Sequence, residues 1–322
     1  MRATSYLSTR HAAKKPVTNG AAARIRSKRL VGEPPGRFRP ILLRAIQRLA
    51  TGLCLLVCWL SLMTHHTPSS SPRVWSAADL AEDPHEAKDK AQRIQRMFGA
   101  IAHRYDLNNR LHSLGRDQAW RRRVVRLCRV RSTDDVLDAA CGTGDLTEAF
   151  AAAGPSSVCG VDFTAEMLDV ARSKAARKRP AGMARPTYLL GDVMTLPFDD
   201  VSFDIVSIAF GLRNVADPRR TLGEFRRVLR PAGRVVILEF SQPANPVLRV
   251  VNGLYCEHIM PVTATLLAGD RSGAYRYLPR SIATFADRET LAAMLADAGF
   301  TDVSQHPLTF GVCTASLGYV AC

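Results

Sequence analysis

The chain has 322 residues, 47% of them hydrophobic, enough for one large domain or two small ones with a well-buried core. Its formal net charge is +15, yet thirteen Lys and Arg residues fall before residue 77, where Glu33 is the only acid. The remainder is nearly balanced, so the basicity argues for no nucleic-acid groove in the globular part. Eight cysteines include no C-x-x-C pair, and several lie in apolar runs. That pattern fits reduced, buried thiols and offers no spacing for a metal site.

Residues 1–82 read as a basic extension outside the fold. Leu53 to Met63 is an apolar run of eleven residues, short of the ~20 needed to span a bilayer. Three readings stay open for this stretch: a targeting presequence, a membrane-surface anchor, or upstream sequence translated from too early a start. Pro68 to Pro72, with its serines, reads as linker.

The domain is expected over 83–322, opening on a helical cap at 83–130. Asp83 to Arg96 is charged and helix-prone, and Met97, Phe98, Ile101 and Tyr105 recur at helical spacing. This helix either packs simply or acts as a lid whose Tyr105 faces a ligand. Asp117 to Val130 is a second helix, with Trp120, Val124 and Leu127 on one face and Arg121, Arg122, Arg123 and Arg126 around the others. Such arginines are usually solvated, with contact to anionic headgroups as the alternative.

From Asp135 strands and helices alternate. Strands are expected near Val136–Ala139, Ser157–Val161, Thr187–Leu190, Phe203–Ala209, Arg234–Phe240, Thr301–Pro307 and Val312–Val320. Helices are expected near Leu146–Ala153, Ala165–Lys178, Pro218–Leu229 and Arg288–Ala298. The alternation makes a doubly wound α/β sheet, Rossmann-like and mostly parallel, with helices on both faces. Leu308 to Gly311 is too short for a helical crossover, so the seventh strand must run antiparallel. Asn245 to Phe285 breaks the rhythm with apolar and aromatic residues, among them Leu248, Tyr255, Leu266, Leu267, Tyr275 and Tyr277. It is either an ordinary helical excursion or a greasy lid (245–285) over the ligand end of the sheet.

The chemistry concentrates at strand ends. Val136-Leu137-Asp138 leads into Gly142-Thr143-Gly144 and an alanine-rich helix. Glycines there permit a tight turn and close backbone approach to a ligand. The third glycine of the dinucleotide fingerprint is absent, which disfavours nicotinamide and flavin enzymes. Asp162 ends the second strand, where an acid suits a ribose diol but also caps helices. Asp192 follows the third strand. Thr143, Asp162 and Asp192 would converge on one extended ligand with a ribose and a base.

These residues carry a resemblance. D-A-A-C-G-T-G-D from Asp138, V-D-F-T-A-E-M-L from Val161 and G-D-V-M-T-L-P-F from Gly191 resemble successive motifs of class I S-adenosylmethionine methyltransferases. The stretch Tyr105 to Gly115 with Trp120, and Arg227 to Arg234 running on to Ser241, resemble the paired signatures of the ubiquinone/menaquinone biosynthesis C-methyltransferase family. Phe210-Gly211-Leu212-Arg213-Asn214-Val215 is similar to a further segment of that family. The resemblance runs from about Ala91 to the C-terminus.

It implies a seven-stranded sheet with a reversed last strand and S-adenosylmethionine as co-substrate, with no metal. Asp138, Gly142, Thr143, Gly144, Asp162, Phe163, Asp192, Val193 and Ala209 would hold the co-substrate. Arg213, Asn214 and Tyr105 would surround the reacting ring. Arg213 would stabilise a phenolate or, with Asn214 and Tyr105, hold a water that takes the proton. A guanidinium is a poor base, which favours the stabilising role, and a structural ion pair is the plain alternative. His112 and Asp117 lie where the family has a polar loop. Ala209 stands where some ubiquinone-side members carry Ser, pointing to the menaquinone branch.

The implied partner is a polyprenyl quinol, with peripheral membrane contact, no nucleic acid, and a homodimer or quinone-biosynthesis complex as further options. The implied location is the cytoplasm at the inner face of the membrane, or the mitochondrial matrix if the N-terminus is a transit peptide. Two alternatives remain: a methyltransferase of another small molecule, and a basic RNA- or membrane-binding module.

Overall fold

The computed structural model describes residues 74–76, 79–177, 184–260, 262–263 and 273–322, all within the compact unit Arg48–Cys322. Seven strands form one sheet: β1 (Asp135–Ala139), β2 (Ser157–Asp162), β3 (Thr187–Leu190), β4 (Phe203–Ala209), β5 (Leu229–Phe240), β6 (Thr301–Leu308) and β7 (Cys313–Tyr319). Their order is β3-β2-β1-β4-β5-β7-β6. The first five run parallel, and β7 pairs antiparallel with both β5 and β6. The reversal follows from the short Thr309–Gly311 turn between the last two strands.

Eight helices surround the sheet among the described residues: α1 (Lys90–His112), α2 (Arg116–Cys128), α3 (Asp145–Ala151), α4 (Ala165–Ala175), α5 (Pro218–Val228), α6 (Pro246–Leu254), α7 (Ala274–Thr284) and α8 (Arg288–Asp297). Asp217 caps α5 by accepting from the Arg220 N–H, with Pro218 at the first turn. Most boundaries fall within a few residues of expectation. Two differ. The first helix starts at Lys90, after a series of turns from Asp79. Strand β5 begins at Leu229, because α5 runs straight into it. Phe203 pairs with Leu229, and the register then shifts to Ile205–Arg234 across Pro231-Ala232-Gly233. That Pro-Ala-Gly stretch lies just past the end of α5 and sits in a bulge of β5.

Alternation along the strands feeds two cores. Leu137, Val206, Ile208, Val235 and Ile237 pack with Leu222 and Phe225 of α5 and Leu291 and Leu295 of α8. Val136, Ile205, Val236 and Leu238 pack on the other face with Trp120 and Val124 of α2 and Phe150 of α3.

A third core joins the cap to the 245–285 region: Ile94, Met97 and Ile101 of α1 meet Met167 of α4, Tyr277 of α7 and Trp75. Trp75 is 1% exposed and stacks on Tyr277 at 4.8 Å, with the Arg93 guanidinium 5.2 Å over its ring. Packing therefore reaches upstream of the expected boundary at residue 82. Earlier features, including Leu53 to Met63 and Pro68 to Pro72, lie outside the described residues.

Residues 246–260 are helical. Asn245 accepts from the Val247 and Leu248 N–H groups to start α6, and a π-helical turn, Tyr255–Ile259, follows it. No residue of α6 is buried. Leu266 and Leu267, and the side chain of Tyr275, lie outside the described residues. No helix among the described residues is long and apolar enough to cross a membrane.

Candidate active site

The carboxyl ends of β1, β2, β3 and β4 open on one crevice with about 720 Å³ of empty space, roofed by Ile94, Phe98 and Tyr105 of α1. Gly142, Asp162, Phe163, Asp192, Val193, Ala209 and Asn214 all line it. A small pocket continues beside it and adds Asp138, Thr143 and Arg121.

Local geometry explains the glycine turn. Gly142 has φ +56°, and a Cβ there would meet open space, so its absence widens the crevice floor. Its N–H donates to Asp162 Oδ2 at 2.8 Å. Gly144 also has a left-handed φ, +80°, but it does not line the crevice; a Cβ there would come 2.6 Å from the Tyr188 hydroxyl. It makes room for packing.

Asp162 satisfies both expectations for it. Oδ1 accepts from the Thr164 N–H at 2.9 Å at the start of α4, while the carboxylate still lines the crevice. Burial raises its pKa, opposed by the N–H groups of Thr164 and Gly142. Each oxygen retains a lone pair for a diol. Asp192 accepts from the Met194 N–H at 2.9 Å and is otherwise exposed to the crevice. Thr143 is turned inward, its hydroxyl donating to Asp106 at 2.6 Å. Asp138 is held by the hydroxyls of Thr147 and Ser207 at 2.6 and 2.8 Å, and burial pushes its carboxyl up to about 6.

A second cavity lies behind α1. It shares Phe98, Tyr105 and Phe210 with the crevice, so these three side chains form the partition. Its other walls include Met97, Trp120, Phe240, Met260 and Leu278, with Arg213, His112 and Asp117 as polar points. Burial raises the Tyr105 pKa further above the ordinary phenol value.

The Phe210–Asn214 segment is a tight knot. Phe210 has φ +58°, and its carbonyl accepts from both Arg213 Nη1 at 2.8 Å and Asn214 Nδ2 at 3.0 Å. Gly211 is required because a Cβ would fall 2.8 Å from that of Ala140. Asn214 Oδ1 accepts from the Tyr277 hydroxyl at 3.0 Å, so its amide is already engaged on both sides. Arg213 is 4% exposed and ion-paired to Glu239 at 2.6 Å, with its guanidinium 5.3 Å from the Phe240 ring. The expected ion-pair alternative is thus present, yet Arg213 also lines the second cavity. Neither its Nε nor Glu239 Oε2 has a hydrogen-bond partner among the described residues.

Sequence reasoning missed three contributors. Glu239 sits in a strand that reads simply as apolar. Tyr277 reads only as part of a greasy run. Arg121 stands in a row of arginines read as solvated or headgroup-facing, but it is 6% exposed and pairs with Asp117 at 2.8 Å. It lines both the second cavity and the small pocket. The signal available was its four-residue spacing from Asp117.

The sheet order, the reversed last strand and the crevice at the strand ends define a class I, Rossmann-like methyltransferase. A chain of the complex between the Haloferax volcanii Trm112 methyltransferase activator and a methyltransferase shares the fold, with TM-score 0.51 and 22% identity, covering 70% of this chain and 98% of that one. Residues 86–320 match the ubiE/COQ5 methyltransferase family, and the chain belongs to it. Relatives include a protein of Citrifermentans bemidjiense named ubiquinone/menaquinone biosynthesis C-methyltransferase UbiE, 43% identical over 71% of this chain and 97% of the relative. Another is the demethylmenaquinone methyltransferase of Thermus thermophilus, 45% identical over 69% of this chain and 99% of the relative.

Proposed function

We propose that the enzyme methylates a ring carbon of a polyprenylated quinol, demethylmenaquinol foremost, with S-adenosylmethionine as co-substrate. The observation that carries this reading is the pair of cavities meeting at Tyr105 and Phe210. One has acids at its rim, suited to a nucleoside; the other is apolar, with a buried arginine in its wall. When bound, S-adenosylmethionine supplies an electrophilic methyl group. Gly142, Asp162, Phe163, Asp192 and Val193 would hold its nucleoside end, and Ala209, Asp138 and Thr143 would shape the region beneath. The open space over Gly142 and the spare lone pairs of Asp162 fit that group.

Arg213 would stabilise negative charge as the quinol hydroxyl loses its proton and the ring carbon becomes nucleophilic. Glu239 fixes the guanidinium through Nη1 and leaves Nε–H without a hydrogen-bond partner among the described residues. Tyr105, a phenol whose pKa burial raises further, would donate to the same oxygen or to the water that removes the proton. Asn214 holds the loop and the partition in place. Holding ring carbon and methyl in line across that partition supplies much of the rate.

The same reading places the protein in the cytoplasm, at the inner face of the membrane that holds its substrate, or in the mitochondrial matrix if the first residues are a transit peptide. Turnover on demethylmenaquinol against demethyl-ubiquinol-type acceptors tests the acceptor assignment. Preference for the first supports it. Turnover of neither, with S-adenosylmethionine bound, favours another small-molecule acceptor.

A further inference from the structure

Among the described residues, the two most exposed large hydrophobic side chains are Leu114, at 89%, and Phe310, at 81%. Both also sit in the left-handed region, at φ 52° and 57°. Bulky side chains are strained there, and neither gains packing in return. Each tops a turn, Leu114 between α1 and α2 and Phe310 between β6 and β7. A third apolar surface lies on α6, where Val247, Val250 and Val251 are exposed.

These three features are tied together around the second cavity. Ser113 beside Leu114, Val312 close after Phe310 and Asn252 beside Val251 all line it. His112 Nδ1 lies 3.2 Å from the Tyr255 hydroxyl, joining the end of α1 to the end of α6. The Gly311 carbonyl accepts from Ser241 Oγ at 2.8 Å, and Trp120 Nε1 donates to Thr309 Oγ1 at 2.8 Å. The strained apolar tips therefore stand at the rim of the apolar cavity.

The exposed charge on this rim is mainly cationic, and Asp117, the acid that lines the cavity, is buried against Arg121. Residues 107–116, 242–256 and 306–312 contain Arg110, Arg116 and Arg249 and no Asp or Glu; Glu257 is the next acid along α6 and its π turn. Arg110 pairs with Asp145, while Arg116 and Arg249 are exposed. Apolar tips flanked by the exposed Arg116 and Arg249 complement an anionic lipid surface, where each half meets its counterpart. We propose that Leu114, Phe310 and the exposed face of α6 dock on an anionic bilayer, so that the second cavity opens into the lipid. The purpose given to this docking, entry of a hydrocarbon-tailed acceptor, rests on the function proposed above; the docking itself does not.

The test is hydrogen exchange on the full chain, with and without vesicles of phosphatidylcholine plus phosphatidylglycerol, read without turnover. Vesicles are expected to protect residues 107–116, 246–254 and 306–312. Leu114→Asn/Phe310→Asn should lose that protection while keeping its melting temperature and S-adenosylmethionine affinity, because asparagine tolerates left-handed backbone. Arg116→Glu/Arg249→Glu should abolish the preference over pure phosphatidylcholine. Co-sedimentation without protection of these segments would overturn the proposal and assign lipid binding to the basic N-terminal residues. Protection that grows with protein concentration in the absence of vesicles would also overturn it, in favour of a second copy of the chain.

Discussion

Arg213 Nη1 lies 2.6 Å from Glu239 Oε1, joining the turn after β4 to the end of β5 in a pair that is almost wholly buried. The pair neutralises a charge that would otherwise be costly to hold beside Phe240, and it fixes one part of the wall of the second cavity. The pair gives Arg213 a structural role beside the catalytic one proposed for it, and experiment must separate the two.

Glu239→Gln is expected to destabilise the fold by roughly 3 kcal/mol, since it leaves a buried guanidinium uncompensated. Replacing both partners, as Arg213→Met/Glu239→Leu, should recover most of that stability in denaturant unfolding. Turnover should stay depressed, because no cation faces the developing oxyanion. Recovery of turnover in the double variant would make Arg213 purely structural. Arg213→Lys should rescue little, as a point charge cannot replace the planar fork.

Asp162→Ala should weaken S-adenosylmethionine binding by tenfold or more, about 1.5–3 kcal/mol for a lost charged acceptor. The melting temperature should fall as well, because the Gly142 and Thr164 N–H groups lose their partner. Calorimetry and thermal melting read the two effects separately. A lower melting temperature with unchanged affinity would leave Asp162 as a helix cap only.

Asp138 gives a pH signature. Its carboxyl is raised from 3.8 to about 6 by burial, against hydroxyl donors that favour ionisation. Below the unfolded value both states are protonated and nothing is lost. As pH rises toward 6 the unfolded chain ionises first, so the folded protein loses stability by up to about 3 kcal/mol. Wild type should therefore gain on Asp138→Asn as pH falls from 6 to 4, in melting curves taken side by side. Parallel pH profiles would contradict the buried-carboxylate account.

Trp75→Ala should cost about 3–5 kcal/mol, the usual range for deleting a buried aromatic side chain, and loosen the cap on α7. Removing residues 1–82 should destabilise the domain for the same reason. An unchanged melting temperature in either case would place Trp75 outside the cooperative fold.

Local patterns made the sheet and most of the crevice legible. Gly142, Asp162 and Asp192 follow short apolar strands, and strand ends in such sheets converge on one crevice. What escaped depends on distant partners. Glu239 shares a strand with apolar neighbours, and only the fold brings Arg213 against it. Arg121 looks like its exposed neighbours until Asp117 and the cavity surround it. Trp75 follows a serine-proline stretch that reads as linker, and its stacking partner Tyr277 is some two hundred residues away. Gly144 reads like Gly142, yet Tyr188 decides that one serves packing and the other lines the crevice.

Methyl transfer to a ring carbon across the Tyr105–Phe210 partition can be followed by isotope. The most direct measurement supplies the purified full chain with methyl-deuterated S-adenosylmethionine and demethylmenaquinol, and locates the label by mass spectrometry and NMR. One labelled methyl is expected on the quinone ring carbon, strongly reduced in Arg213→Met at saturating co-substrate. Label on a quinol oxygen, or none on the quinol with S-adenosylmethionine bound, would contradict it.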